Sequence, residues 1–189
     1  MATVILLNGV GSVGKSSIAK ALQNITKQPF LHIEMDAFLA MLPDRLAGDP
    51  DGLSFEKRVV DGNAVTFARV GPAASRALSG MRRSVAAMAS AGNNLIVDEV
   101  LFGNTEAGSA NAVAEYQSLL EPYNFYMVGV FASLGVLEER ERKRGDRTLG
   151  LSRWQYERVH DGMTYDLSVN TEDASPLACA ELIKANLKL

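Results

Sequence analysis

Residues 3–17 read TVILLNGVGSVGKSS, and this stretch decides how the rest of the chain is interpreted. Its apolar beginning, Thr3–Leu7, predicts a buried strand. The segment Gly9–Ser16 matches the pattern G-x-x-x-x-G-K-[ST], in which glycines let successive backbone N–H groups curl around phosphate oxygens. Behind it, apolar residues recur at i, i+4 and i+7 from Ile18, which predicts a helix that opens directly after the loop. The stretch therefore predicts a strand, a phosphate-binding loop and a helix.

The side chains of this loop suit the phosphates and metal ion of a nucleotide. Lys15 is predicted to reach the β- and γ-phosphates of ATP, and Ser16 to complete the ligand shell of Mg²⁺. A chance match to the pattern has odds of roughly one in a hundred in a chain of this glycine content, and the strand and helix around it lower those odds. The predicted cofactor-binding residues of the loop are Gly9, Val10, Gly11, Ser12, Val13, Gly14, Lys15, Ser16 and Ser17.

Four further apolar runs of strand type follow along the chain, with helical segments between them. They are Phe30–Met35, Asn94–Val97, Phe125–Phe131 and the weaker Tyr165–Val169. Continuous apolar strands alternating with helices favour a parallel sheet that is covered on both faces. We expect one α/β domain over residues 1–189: a doubly wound, five-stranded parallel sheet with helices on both faces, of the P-loop NTPase kinase type with a helical lid. Turn residues cluster at Pro43–Gly62, which indicates an insertion or a mobile segment.

Composition excludes several classes of protein and of site. A length of 189 residues supports a single domain. A net charge of −3 offers no broad basic surface, so we expect no nucleic-acid polymer as a partner. One cysteine, Cys179, and two distant histidines, His32 and His160, exclude a disulfide framework and a Cys/His zinc site. No leader or membrane-length apolar segment is visible, so we expect a cytoplasmic protein without a membrane partner. Formation of a homo-oligomer stays open.

Carboxylates end two of the predicted strands, where ligands of parallel sheets bind. Asp98 follows the run Leu95–Val97 and is the predicted metal partner together with Ser16. The alternatives for Asp98 are a helix cap or an ion pair with Lys15. Asp36 closes the second strand and is the candidate base toward an acceptor hydroxyl, with a structural role as its alternative. His32 and Glu34 lie farther from the strand end and are interpreted as structural.

A basic cluster occupies residues 137–147, LEERERKRGDR. The i, i+4 pairs Glu138 with Arg142 and Glu139 with Lys143 are predicted to keep two of its cations at the surface. The three arginines that remain suit a lid, about residues 134–150, which closes over the triphosphate and neutralises transferring charge. A plain surface helix is the alternative. These lid arginines are Arg140 and Arg144, predicted as catalytic with Lys15 and Asp36, and Arg147, predicted to bind the nucleotide.

Several segments together carry a resemblance to a known family. They are residues 5–9 leading into the loop, Asp36 followed by Leu42-Pro43, the run 96–100 with the sequence IVDEV, residues 144–147 with RGDR, and residues 159–166 with VHDGMTYD. On these segments the chain resembles the chloramphenicol phosphotransferases, small kinases that phosphorylate the primary hydroxyl of the antibiotic. The likeness runs nearly end to end, and the RGDR and VHDGMTYD segments are its specific part.

The resemblance implies a function and an acceptor site. It implies that Asp36 is the base, that ATP and Mg²⁺ are the cofactors, and that a small-molecule alcohol, with chloramphenicol as the candidate, is the acceptor. It also implies an acceptor-side segment of about residues 37–80, in which Phe38, Leu39 and Leu42 contact an apolar, aromatic molecule; ordinary helix packing is the alternative. Residues 47–70 match no part of the family pattern, so the acceptor stays open.

Three other functions compete with this interpretation. A kinase for another metabolite, such as a sugar acid or a nucleoside, would show a cavity rich in arginine. A regulatory ATPase would hydrolyse ATP without any acceptor. A GTP switch would need the guanine-reading Asn-Lys-x-Asp element, which the sequence lacks.

Overall fold

In the computed structural model, residues 1–102, 109–145 and 148–189 are described. A parallel sheet of five strands forms the centre of the fold, and two further strands form a separate hairpin. The strands are β1 (Thr3–Asn8), β2 (Phe30–Glu34), β3 (Leu53–Val60), β4 (Asn63–Val70), β5 (Asn94–Glu99), β6 (Asn124–Phe131) and β7 (Leu167–Asn170). The central sheet has the order β2-β5-β1-β6-β7, with every neighbouring pair parallel. The predicted doubly wound, five-stranded sheet is confirmed.

Helices cover both faces of this sheet, because the side chains of its central strand alternate between two apolar clusters. Ile5 and Leu7 face the cluster that α1 and α7 complete, while Val4 and Leu6 face the cluster formed with α3 and α4. None of the described helices combines the length and apolar character needed to cross a membrane. The helices are α1 (Lys15–Ile25), α2 (Met35–Leu39), α3 (Pro72–Ser90), α4 (Ser109–Leu120), α5 (Leu134–Arg144), α6 (Leu151–Tyr156) and α7 (Pro176–Leu187).

The turn-rich segment at Pro43–Gly62 contains regular structure that the sequence analysis missed. After a short 3₁₀ turn, the hairpin of β3 and β4 reverses at Asp61-Gly62, whose φ angles of 49° and 76° belong to a tight hairpin turn. An Asp-Gly pair between two runs of β-branched and aromatic residues is a recognised hairpin signal. The hairpin docks on α6 through Thr66, whose N–H donates to Gly150 O at 3.0 Å and whose hydroxyl donates to Leu149 O at 2.7 Å.

Helix α5 occupies most of the segment predicted as a lid, residues 134–150, and α6 follows directly after it. Helix α5 ends where Gly145 takes a positive φ of 68°, as the sequence indicates. The buried carboxylate of Glu141, which sequence reasoning left unassigned, accepts hydrogen bonds from Gly150 N at 2.7 Å and Ser152 N at 2.9 Å and so ties the two helices together. Glu138 pairs with Arg153 at 2.7 Å rather than with Arg142, because α6 brings Arg153 alongside it.

Candidate active site

The loop between β1 and α1 is a narrow cup of backbone. A Cβ atom on Gly9 would lie 2.5 Å from the carbonyl oxygen of Val130, so only glycine lets the chain pass this strand. Ser12 and Gly14 both have positive φ, at 66° and 102°, which turns the backbone around the concave side. Val10 and Val13 anchor the loop in the core beneath. The loop therefore has the shape and polarity of a phosphate cradle.

Lys15 begins α1 and is buried beneath the loop. Its Nζ donates to Gly9 O at 2.8 Å and to Val10 O at 3.2 Å, and it lies 3.6 Å from Asp98 Oδ1. The ammonium group is therefore held in the cup itself, at the place where phosphate oxygens would enter.

Asp98 is the penultimate residue of β5 and lies directly beside the loop. The hydroxyl of Ser16 donates to Asp98 Oδ2 at 2.5 Å. Burial opposes ionisation of Asp98, but the charge of Lys15 and the neighbouring His32 and Ser16 outweigh it and hold the pKa of Asp98 below its usual value. A hydroxyl and an ionised carboxylate that converge on one point fit the oxygen ligands that Mg²⁺ prefers, so the two predicted metal residues are brought together.

A cavity of about 1110 Å³ runs from the loop to the hairpin. Its loop end exposes Ser12, Lys15 and Ser16, and Asp36 and Leu39 of α2 lie along its side. Apolar and aromatic side chains form much of the rest of its lining: Leu53, Phe55, Leu78, Leu101, Phe102, Leu151 and Trp154. Phe102 packs edge-on against Trp154 with ring centroids 5.1 Å apart. One space therefore connects the phosphate loop with a partly apolar chamber.

Three of the four residues predicted for the acceptor, Asp36, Phe38 and Leu39, lie on α2, and Leu42 follows the end of this helix. Of the four, Asp36 and Leu39 line the cavity. Asp36 stands in the first turn of the helix with its side chain exposed into the opening, and Leu39 lines it one turn later. Phe38 instead packs against the apolar cluster under α3. Neither Phe38 nor Leu42 is among the described residues that line the cavity. Most of the apolar lining comes instead from the hairpin, α3, α6 and the residues that follow β5.

The lid arginines separate into different environments. Arg144 lines the cavity from the end of α5. Arg140 donates to Val13 O at 3.3 Å and to Thr171 O at 2.6 Å, so its guanidinium braces the far side of the phosphate loop rather than facing the described cavity wall. Arg147 lies outside the described residues.

A buried ionic network contributes Arg82 and Glu99 to the lining of the cavity. Arg82 of α3 donates to Glu99 at 3.0 Å and to Glu115 at 2.6 Å, and the hydroxyl of Tyr116 donates to Glu99 at 2.6 Å. Burial raises the pKa of Glu99 to about 7, although Tyr116 and Arg82 favour its ionised form. The charge of Arg82 is thus balanced inside the protein.

Gln155 of α6 reaches back to the phosphate loop. Its Oε1 accepts a hydrogen bond of 2.7 Å from the backbone N–H of Gly11, one of the amides predicted to bind phosphate. The contact links residues 144 positions apart, and no local pattern in the sequence indicates it. No local pattern indicates that Arg82 and Phe55 line the cavity either. Trp154 could have been a candidate site residue, because it is the only tryptophan in the chain.

Several solved structures with a similar fold are named as kinases. The APS kinase CysC of Mycobacterium tuberculosis, solved with AMPPNP and APS, matches with a TM-score of 0.67 at 14% identity, covering 100% of this chain and 98% of that one. A sugar kinase of Janibacter sp. HTCC2649 matches with a TM-score of 0.66 at 17% identity, covering 100% and 95%. At such low sequence identities the TM-scores show the fold alone, which is that of P-loop kinases.

Sequence relatives are named for the same kind of chemistry. Two curated Mycobacterium tuberculosis proteins, of strains CDC 1551 and H37Rv, carry the name "Putative O-phosphotransferase" and are 30% identical over 173 residues, which is 89% of this chain and 74% of theirs. Family and fold together support an ATP-dependent kinase with a hydroxyl acceptor. The family model described as chloramphenicol phosphotransferase-like protein matches residues 2–188, and the chain belongs to that family.

Proposed function

We propose that this protein transfers the γ-phosphoryl group of ATP to a hydroxyl of a small, partly aromatic alcohol, with chloramphenicol as the first candidate. One observation carries the proposal: the phosphate loop, Asp36 and an aromatic chamber open onto a single cavity. A triphosphate held by the loop would place its outer end beside α2, where an acceptor in the chamber can present its hydroxyl.

The chain's own groups stabilise charge at the phosphate end. The loop and Lys15 line the cavity where a triphosphate would lie, and Arg144 lines it from the end of α5. Because charge spreads over the transferred oxygens in the transition state, positioned cations there lower the barrier. Ser16 and Asp98 would hold Mg²⁺, which neutralises phosphate charge when it is bound.

Asp36 is the group we assign to the acceptor. Its carboxylate stands at the N-terminal turn of α2, on the cavity side, and nothing apolar buries it. A carboxylate in this place can accept a hydrogen bond from the acceptor hydroxyl, orient it toward phosphorus and take its proton.

The aromatic part of the cavity lining supports an aromatic alcohol as the acceptor class. Phe55, Phe102 and Trp154 offer flat apolar contact, and the buried Arg82 is balanced by Glu99 and Glu115. A sugar acid or another anionic metabolite is the second candidate, and Arg69 of β4 favours it because this cation also lines the cavity.

The proposal is tested by incubating the protein with ATP, Mg²⁺ and either chloramphenicol or a panel of sugar acids and nucleosides, followed by mass spectrometry. A singly phosphorylated chloramphenicol is the expected product, and Lys15→Met is the matched inactive variant. A phosphorylated sugar acid instead would keep the kinase and select the second candidate. Hydrolysis of ATP with no phosphorylated alcohol in either panel would contradict the proposal and favour a regulatory ATPase.

A further inference from the structure

His32 of β2 has a buried nitrogen without a hydrogen-bond partner. Its side chain is 9% exposed, and Nε2 has no partner among the described residues. The nearest acceptor is Asp98 Oδ2 at 3.8 Å, which is too long for a hydrogen bond. An unsatisfied buried imidazole nitrogen is costly and rare in a folded protein, so its position requires a physical reason.

Strand geometry aims this nitrogen at two carboxylates. His32 and Glu34 are two positions apart on β2 and therefore lie on the same face of the sheet. The parallel register pairs Glu34 with Asp98 of β5, which places Asp98 on that face as well. One ligand atom from each of these three residues lies within 4.8 Å of the other two. The sequence analysis interprets His32 and Glu34 as structural because they lie farther from the strand end than Asp36, whereas the structure places them beside Asp98 of β5.

We propose that His32, Glu34 and Asp98 form a binding site for a divalent first-row transition-metal ion, such as Mn²⁺, in the nucleotide-free protein. One imidazole and two carboxylates suit such an ion better than Mg²⁺, which prefers oxygen ligands alone. Ligand atoms about 2.1 Å from one ion lie roughly 3 to 4 Å apart, so groups that lie within 4.8 Å of one another need to close by at most about 1 to 2 Å.

Access and charge favour binding at this place. Glu34 and Asp98 both line the large cavity, which gives an ion a path from solvent. Lys15 approaches Oδ1 of Asp98, whereas His32 and the hydroxyl of Ser16 face Oδ2. An ion at Oδ2 would therefore use a different carboxylate oxygen from the ammonium group and would displace the hydrogen bond from Ser16. The inference goes beyond the proposed function, since it concerns an ion that the chain holds before nucleotide arrives and does not depend on the acceptor.

Titration of the nucleotide-free protein with Mn²⁺, followed by the loss of the free-ion signal in electron paramagnetic resonance, tests the site. We expect one Mn²⁺ per chain that a tenfold excess of Mg²⁺ does not displace. His32→Gln and Glu34→Gln should each raise the dissociation constant at least about tenfold. Ser16→Ala removes the hydrogen bond to Oδ2 of Asp98 and should not weaken Mn²⁺ binding, whereas a site that needs the phosphate-loop hydroxyl as a ligand would lose affinity in this variant.

Asp44→Asn, which removes an exposed carboxylate outside the cluster, is the matched control and should bind Mn²⁺ like the wild type. Melting curves without metal establish that each variant is folded. The proposal is overturned if the wild type leaves the free Mn²⁺ signal intact, or if folded His32→Gln and Glu34→Gln bind as tightly as the control. Kinase activity that persists alongside such a result would leave the proposed function standing.

Discussion

The phosphate end and the acceptor end of the cavity are built in different ways. At the phosphate end, one short stretch between β1 and α1 supplies the loop, and buried strands hold it from below. At the acceptor end, the walls come from α2, the hairpin and α6, which are separated by many residues in sequence. The hairpin carries exposed apolar residues and is fixed to the lid through Thr66.

This difference explains which end a sequence can reveal. Phosphate binding depends on backbone amides and one lysine, so a local pattern of glycines and Lys15 is sufficient to predict it. Acceptor binding depends on side chains that meet only after folding, and the acceptor can change when the hairpin changes while the loop stays the same. The following predictions test that division, beginning with the largest effect.

Asp36→Asn should slow phosphoryl transfer by about 10³-fold while nucleotide affinity stays the same. The amide keeps the shape of the side chain but cannot take a proton, and general-base catalysis typically contributes about 10² to 10⁴ in rate. Steady-state turnover and ADP titration calorimetry measure the two quantities. Asp44→Asn serves as the control, and undiminished turnover in the Asp36 variant would end its assignment as the base.

Phe55→Ala should raise the KM for the acceptor by about tenfold and leave the KM for ATP unchanged. Loss of one aromatic contact in an apolar chamber costs about 1.5 kcal/mol of binding, which corresponds to roughly that factor. Val59→Ala on the same strand is the matched control, because Val59 is exposed outside the cavity. Equal effects on the KM of both substrates would show that the two ends are not separate.

Gln155→Ala should tighten ADP binding by about fivefold. The side-chain carbonyl of Gln155 accepts the hydrogen bond that the N–H of Gly11 would otherwise donate to a phosphate oxygen. In the variant the nucleotide no longer has to break this hydrogen bond, which contributes about 1 kcal/mol. Calorimetric titration with ADP measures the change. Arg158→Ala, on the loop after α6, is the comparison for general damage to the lid. Weaker binding by the Gln155 variant would mean that the side chain supports the loop instead of competing with phosphate.

His160 should add a modest dependence of stability on pH. Burial lowers the pKa of His160 to about 4, with a hydrogen bond to the backbone of Val130 opposing the shift and Lys15 adding to it. In the unfolded chain a histidine binds its proton near pH 6.5, whereas folded His160 binds it only near pH 4. Between these two values protons bind preferentially to the unfolded chain, so the free energy of unfolding falls as the pH drops from about 6.5 toward about 4.

Urea denaturation at pH 7.5 and pH 5 measures this contribution. The wild type should lose more free energy of unfolding between the two values than His160→Asn, in which the titrating group is absent. Equal losses in the two proteins would contradict the assignment of a low pKa to His160.

The strands of the central sheet, the phosphate loop and the end of α5 at Gly145 could all be predicted, because each of them has its signal in a short stretch of sequence. The hairpin carried a local signal in Asp61-Gly62 that was not used. The contacts of Gln155 and the pairing of Glu138 with Arg153 could not be predicted, since only the docking of α6 brings those side chains to their partners. His32 comes close to Asp98 only through the pairing of β2 with β5, which its place on β2 does not indicate.

The central claim is that the loop directs the outer phosphate of ATP toward Asp36. A crystal structure with a non-hydrolysable ATP analogue, Mg²⁺ and the phosphorylatable alcohol measures this directly. We predict that the acceptor oxygen lies about 3 to 3.5 Å from the γ-phosphorus and within about 3.2 Å of the Asp36 carboxylate. A γ-phosphate that faces away from α2, or an acceptor hydroxyl out of reach of Asp36, would contradict the account.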